Sequence, residues 1–270
     1  MPEPILSPPL TAEADRDLLV EAVERAGEIA MRFFRAEVAN WEKPDNAGPV
    51  SDADMAVDRE LHRVLCAARP DYGWLSEESD DDLARLHRDR VFIVDPIDGT
   101  RAFLKGETGF AVAAAVVERG EVIASAVHLP ARGETYAAAL GAGATLNGEQ
   151  ISTSERRELA GATALGASAS YKDAHWAKPL PQLDRVFRHA LEWRLCLVAA
   201  GAFDLMVTMR DAYEWDVAAG ALIASEAGAV ITDRDGQRLC FNTSGAKLPG
   251  VIVAPGPLHA ALVALRLGDG

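Results

Sequence analysis

Apolar positions at helical spacing mark the first long stretch of the chain. Leu18, Leu19, Ala22, Val23, Ala26, Ile29, Ala30, Phe33 and Phe34 recur every three or four residues and share one helix face. Thr11, ahead of them, is a residue type that caps helix N-termini. The segment WEKPDNAGPVSD (41–52) holds two prolines and a glycine, which break helical and strand ladders alike, and predicts a loop or hairpin. Helical period returns from Ala53 to Ala68, with Leu61, Val64 and Leu65 as core positions. Gly73 and Trp74 lead into an acidic run, SEESDDD, and a short helix. RVFIVDPIDGT (90–100) then places four apolar residues before Asp95 and Pro96, the pattern of a buried strand ending in a polar loop.

Beyond Gly109 the pattern turns to strands. GFAVAAAVV and EVIASAVHL flank Glu118 to Gly120 and predict a hairpin. GETYAAALGAGATLNG adds a strand or strand pair before a turn at Asn147-Gly148. ISTSERRELAG (151–161) is poor in apolar residues and reads as a surface connector. It divides the chain into an N-terminal α+β lobe (1–150) and a C-terminal α/β lobe (151–270). The second lobe alternates: TALGAS as strand, Gln182 to His189 as helix, Leu191 to Ala200 as helix and DLMVTM as strand. Val217 to Ala227 follows as helix, AVIT and GVIVA as strands, and PLHAALVALR as helix. Such alternation predicts packed layers of helix and sheet.

The 270 residues amount to about 1.8 typical domain lengths. With 27 Lys and Arg against 41 Asp and Glu, the formal net charge is -14, which argues against a nucleic-acid polymer as partner. An anionic small molecule stays compatible, because a bound cation reverses the local field. Cys66, Cys196 and Cys240 are too widely spaced for a zinc motif or a disulfide framework, and Cys196 lies in an apolar run that reads as core. No stretch approaches the roughly 18 apolar residues of a membrane span. The N-terminus, MPEPILSPPLTAEADRD, lacks the basic start and apolar block of a signal peptide, so a cytoplasmic protein is expected.

Chemistry concentrates in the carboxylates. Glu77-Glu78 precede Asp95-Pro96-Ile97-Asp98-Gly99-Thr100, and Tyr213-Glu214-Trp215-Asp216 precedes a small-residue helix that Asp216 would cap. Singly these are ordinary: Asp-Pro and Asp-Gly form turns, Asp caps helices, and acidic runs are solvated. Two carboxylates at a buried strand end are costly unless paired, and Mg²⁺, which takes carboxylate, water and phosphate oxygens, would resolve that cost.

Together the motifs resemble the inositol monophosphatase superfamily of Mg²⁺-dependent, lithium-sensitive phosphatases. EES at 77–79, DPIDGT at 95–100 and EWDVAAG at 214–220 are similar to its three metal motifs, and PVSDAD at 49–54 and CLVAAGAFDL at 196–205 to two further elements. The resemblance spans about residues 20–255 and implies a layered α/β/α/β/α sandwich. It implies one metal held by Glu77, Asp95 and the Ile97 carbonyl, and a second by Asp95, Asp98 and Asp216. Glu77 would also bound a third, weaker metal site, giving two or three Mg²⁺ in all. Asp54, Glu77 and Thr100 would serve the attacking water, and Asp98, Gly99 and Thr100 the phosphate. A homodimer is a common state in this family.

The resemblance implies a small phosphomonoester substrate, whose identity rests on departures and extensions. Inositol phosphatases place a sugar-binding Glu seven residues before the last metal Asp; here that position is Met209. Glu214 before Trp215, and the continuation DGTRAFLKGETGFAV, are similar to the 3'(2'),5'-bisphosphate nucleotidase branch, which cleaves adenosine 3',5'-bisphosphate, a by-product of sulfate assimilation. Arg101, Lys105 and Arg210 are available for its second phosphate, and the polar segment Phe241 to Lys247 for the nucleotide. Inositol 1-phosphate and histidinol phosphate are the alternatives. A catalytically silent metal-binding protein is disfavoured because every implied carboxylate is present. His128, His175 and His189 are not cast as catalytic bases.

Overall fold

The computed structural model describes residues 11–42, 49–81 and 83–268. The Thr11 hydroxyl accepts the Ala14 N–H and opens helix α1 (Ala12–Phe33), which buries Leu19, Ala22, Val23, Ala26 and Ala30. Where a loop or hairpin is expected, β1 (Asn40–Glu42) pairs antiparallel with β2 (Pro49–Ser51), and 43–48 lie outside the described residues. Ser51 and Asp54 then form a reciprocal capping box that starts α2 (Asp52–Ala68).

A seven-stranded sheet carries the strands β3 (Gly73–Ser76), β4 (Arg90–Asp98), β5 (Ala111–Glu118) and β6 (Glu121–Leu129) in sequence order. It continues through β7 (Glu134–Ala139), β8 (Ala144–Leu146) and β9 (Glu149–Gln150). β3 and β4 run parallel and the other pairs antiparallel. Strand β4 does not stop at Asp95-Pro96, as its sequence suggests, but continues to Asp98. Asp95 faces Ala113 and Asp98 faces Ala111, so three steps on β4 oppose two on β5. That mismatch is a bulge, where Pro96 costs no ladder donor. A five-residue helix, α3 (Thr100–Leu104), follows.

The second sheet has the order β11 (Asp184–Val186), β10 (Thr163–Leu165), β12 (Leu205–Thr208), β16 (Val251–Pro255) and β14 (Ala229–Thr232). A two-residue pair, β13 (Ala212–Tyr213) and β15 (Lys247–Leu248), stands apart. The expected helix over Gln182 to His189 is a strand instead. Leu183, Val186 and Phe187 suit a helix face, but Pro179 and Pro181 precede them, and the edge of β10 offers a parallel ladder that β11 takes. Sheet pairing overrides a short local pattern.

Layering follows from where the apolar faces go. α1 and α2 cover one face of the large sheet; α4 (Leu191–Ala199) and α5 (Ala218–Glu226) fill the space between the two sheets. α6 (Gly256–Leu267) covers the outer face of the small sheet through Leu258 and Leu262. The result is the expected α/β/α/β/α sandwich. Cys196 lies in its central layer, fully buried.

Candidate active site

The β4 bulge, the α3 start and the turn before α5 converge at one end of the sandwich. Asp95 and Asp98 are 1% and 5% exposed at the end of β4. Asp216 arrives on a single turn of 3₁₀ helix (Glu214–Asp216). One carboxylate oxygen from each of Asp95, Asp98 and Asp216 lies within 4.8 Å of the other two. Both Asp95 oxygens are buried without a hydrogen-bond partner, a state that is expensive for a carboxylate unless a cation shares it. An oxygen-only, carboxylate-rich donor set fits a hard cation such as Mg²⁺.

Electrostatics describe the same cluster. Burial, reinforced by Glu77, Asp98 and Asp216, pushes the Asp95 carboxyl well above the usual range. Burial and Asp216 push Asp98 up to about 7, against the two amides it accepts. Burial and Glu77 push Asp216 up to about 6. Asp54 is raised as well, because burial outweighs its hydrogen bonds to Ser51 and Thr100. Like charges crowded out of water shift in this direction.

Thr100 opens α3 after Gly99, whose φ of +91° is one that side chains disfavour and whose added Cβ would meet the Gly109 carbonyl at 3.1 Å. From there the Thr100 hydroxyl reaches Asp54 Oδ1 at 3.2 Å and the Ile97 carbonyl at 3.0 Å. Glu77 lines the same cleft, its N–H donating to the Val94 carbonyl. Its loop is anchored by Asp58 on α2, which accepts the hydroxyls of Ser76 and Ser79.

Asp216 does not cap α5. It accepts the Tyr213 N–H at 3.2 Å, while Val217 occupies the cap position without a side-chain bond. The first amides of α5, at Ala219 and Gly220, instead donate to Glu192, a fully buried carboxylate on α4. The start of α4 is capped in turn by Asp98, which accepts the N–H groups of Leu191 at 3.0 Å and Glu192 at 2.6 Å.

The cleft has a volume of about 440 Å³ and is lined by Glu77, Asp95, Ile97, Asp98, Gly99, Thr100 and Asp216. Arg101, Arg194, Arg210, His175, His189, Phe187 and Met209 also line it. Lys105 does not line it: it ends α3 on the exposed surface, a full turn beyond Thr100. Nor does any of 241–247, all of them described. Asn242 and Thr243 donate to the buried Glu214, and Arg85, 1% exposed, holds Asn242 Oδ1 and the Thr243 carbonyl. Glu214 and that segment are scaffold beneath the Asp216 turn.

Asp58, Glu192 and Arg194 were not among the sequence candidates. For the last two a signal existed: charged residues inside an apolar helical run must be buried with partners. Arg194, 6% exposed, donates to the carbonyls of Arg188 and His189 and lies beside Asp98, Asp216 and Arg210.

The profile of the inositol monophosphatase family matches residues 12–266. An inositol-1-monophosphatase of Rhizobium meliloti (strain 1021) is 36% identical over 82% of this chain and 85% of its own. A histidinol-phosphatase of Chlorobaculum parvum is 30% identical over 86% and 90%. The solved structure of the Thermotoga maritima IMPase superposes with a TM-score of 0.80 at 27% identity, covering 95% of this chain and 98% of that one. Sequence motifs, layer order and carboxylate cluster thus agree with a match across nearly the full length, and the chain belongs to the inositol monophosphatase family of phosphatases.

Proposed function

We propose that this phosphatase hydrolyses adenosine 3',5'-bisphosphate to AMP and phosphate. The observation that carries the reading is the set of cations and the aromatic ring that line the cleft beside its carboxylates. Its carboxylates all belong to the Glu77, Asp95, Asp98 and Asp216 set, while the rest of its lining offers Arg101, Arg194 and Arg210 with the half-exposed Phe187 ring. A leaving group with its own phosphate and a flat base suits that lining, since arginines pair phosphate oxygens and aromatic rings stack on bases. Met209, 4% exposed, offers a polyol no acceptor.

In this reading Glu77, Asp95, Asp98, Asp216 and the Ile97 carbonyl hold the metals. Bound Mg²⁺ supplies charge neutralisation at the phosphate and acidification of water. The Gly99–Thr100 turn and Asp98 position the phosphate. The Thr100 hydroxyl, fixed between Asp54 and the Ile97 carbonyl, orients the attacking water together with Glu77. Asp54, whose carboxyl is already raised by burial, takes up a proton through Thr100. Water attacks the phosphorus directly as the bond to the 3' oxygen breaks, that oxygen leaves with a proton from solvent as the 3' hydroxyl of AMP, and no phosphate is carried on the protein.

The runner-up, hydrolysis of inositol 1-phosphate or histidinol phosphate, draws its support from the names of the two relatives. Phosphate release at saturating Mg²⁺ separates the readings when adenosine 3',5'-bisphosphate, inositol 1-phosphate, histidinol phosphate and fructose 1,6-bisphosphate are compared. The expected result is a kcat/KM for the nucleotide at least about tenfold above the others, or about 1.4 kcal/mol in transition-state binding. Faster turnover of inositol 1-phosphate or histidinol phosphate overturns the substrate assignment.

A further inference from the structure

We infer that Glu192 is a positioning residue that sets the distance between Asp98 and Asp216, and through it the affinity of the site for Mg²⁺. The inference rests on those two carboxylates being metal ligands. They arrive on different lobes: Asp98 ends β4 of the large sheet, and Asp216 precedes α5, whose strand neighbours lie on both sheets. No covalent path shorter than 117 residues joins them. One residue bridges the gap non-covalently. The Glu192 backbone N–H donates to Asp98 Oδ2, and its side-chain oxygens accept the N–H groups of Ala219 and Gly220, three and four residues past Asp216. Backbone and side chain of a single fully buried residue therefore hold both ligand-bearing ends.

Two further observations show that this contact is built in. Val217 contributes no side-chain cap, so the α5 amides depend on the carboxylate from α4. And the absence of a side chain at Gly220 is what lets Glu192 approach: an added Cβ would lie 2.6 Å from Glu192 Oε2 and 2.6 Å from Leu195 Cβ. A buried carboxylate is costly, and an apolar side chain with a conventional cap at Val217 would stabilise the fold as well. Holding two ligands in register gives the charge a reason to be there.

Isothermal titration of the metal-free protein with Mg²⁺, without substrate, tests this alongside thermal unfolding. Glu192→Gln keeps the volume and one acceptor; Glu192→Ala removes the bridge. The expected result is a Kd for Mg²⁺ raised about fivefold in the first and at least about twentyfold in the second. Val198→Ala, a buried truncation farther along α4, lowers Tm without moving the Kd. Gly220→Ala keeps the Glu192 charge while displacing its carboxylate, and is expected to raise the Kd as well. A Kd within twofold of wild type in both Glu192→Gln and Gly220→Ala overturns the inference and leaves Glu192 a core cap. Equal Kd values in the two Glu192 variants with an unchanged Gly220→Ala also overturn it, because charge alone then explains the effect. Wild type that fails to bind Mg²⁺ sinks the metal reading itself, a result distinct from either of these.

Discussion

The Thr100 hydroxyl stands 3.2 Å from Asp54 Oδ1, joining the first turn of α2 to the first turn of α3 across 46 residues. Asp54 is simultaneously fixed by the Ser51 N–H at 2.8 Å and the Ser51 hydroxyl at 2.6 Å. The hydroxyl is thus aimed by a carboxylate that is itself held. Thr100→Val is expected to lower kcat by about a hundredfold with little change in KM, in the range of general acid–base contributions. Thr100→Ser keeps the hydroxyl and is expected to retain activity within about tenfold. Equal loss in both variants would show that the methyl group, not the hydroxyl, matters.

Metal removal should make stability sensitive to pH in a defined direction. Asp95, Asp98 and Asp216 are all raised in the folded protein, the latter two to about 7 and about 6. Between about pH 4 and 7 the folded state then holds more protons than the unfolded chain, so metal-free stability is greatest at the acid end and is lost as pH rises. His128 and His259, lowered by burial, pull the other way below about pH 6.5, so the comparison needs an internal control. Asp95→Asn supplies it by replacing a partnerless carboxylate with a neutral group of similar size. Metal-free Tm of wild type is expected to fall more steeply than that of Asp95→Asn between pH 5.5 and 8. Mg²⁺ should raise the wild-type Tm increasingly over that window and leave the variant unmoved, with turnover abolished. Parallel pH slopes, or a Mg²⁺ increment preserved in Asp95→Asn, would refute the assignment.

Stability without catalysis is concentrated at the other end of β4. Asp15, with no exposed surface, accepts from Arg69, Arg90 and the Tyr72 hydroxyl, each at 2.9 Å, and so ties α1 to the end of α2 and the start of β4. Asp15→Ala removes the carboxylate from the buried Arg69 and one of the two that hold Arg90, which keeps Glu118, and is expected to cost about 3–5 kcal/mol. Arg90 begins β4 and Asp98 ends it, about 25 Å apart at the usual rise per residue, so kcat at 25 °C should stay within about twofold. Urea denaturation and phosphate release on the same preparation check both halves.

Much of this architecture could be read from local pattern because local pattern determined it. The α1 stripe, the Ser51–Asp54 cap and the β5–β6 hairpin are consequences of residues close in sequence. The acidic motifs were readable for a similar reason: Asp95 and Asp98 stand three residues apart at the end of one apolar run, and two carboxylates there need an explanation. What escaped depended on distant neighbours. Asp184–Val186 is a strand because β10 presents an edge, and Asp216 is no cap because Glu192 takes the α5 amides. Lys105 and the 241–247 segment resembled substrate contacts by position in the chain, yet α3 carries the first away from the cleft and Glu214 engages the second. Arg194 and Glu192 are charges inside an apolar helical run, and their partners, at Asp98, Arg188, His189 and the α5 amides, come from elsewhere in the fold.

Specificity for a second phosphate should reside in the arginines of the cleft. Arg210 is exposed at the rim of the cleft, beside the buried Arg194, whose guanidinium is already committed to the carbonyls of Arg188 and His189. Arg210 therefore has the greater freedom to meet a substrate anion. A charge-assisted hydrogen bond contributes about 1.5–3 kcal/mol, and solvent at the rim favours the lower figure. Arg210→Ala is accordingly expected to lower kcat/KM for adenosine 3',5'-bisphosphate about tenfold, chiefly through KM, while leaving adenosine 3'-monophosphate within about twofold. Lys105→Ala, outside the cleft, should change neither substrate. The two nucleotides differ only in the 5' phosphate, so their ratio isolates that group from the reacting one. Loss of activity toward both nucleotides in equal measure would mean that Arg210 acts on the reacting phosphate or on the field of the whole cleft. Equal kcat/KM for the two nucleotides in wild type would remove the second-phosphate contact altogether, and with it the argument from those arginines, while the carboxylate cluster and its metal requirement would stand untouched.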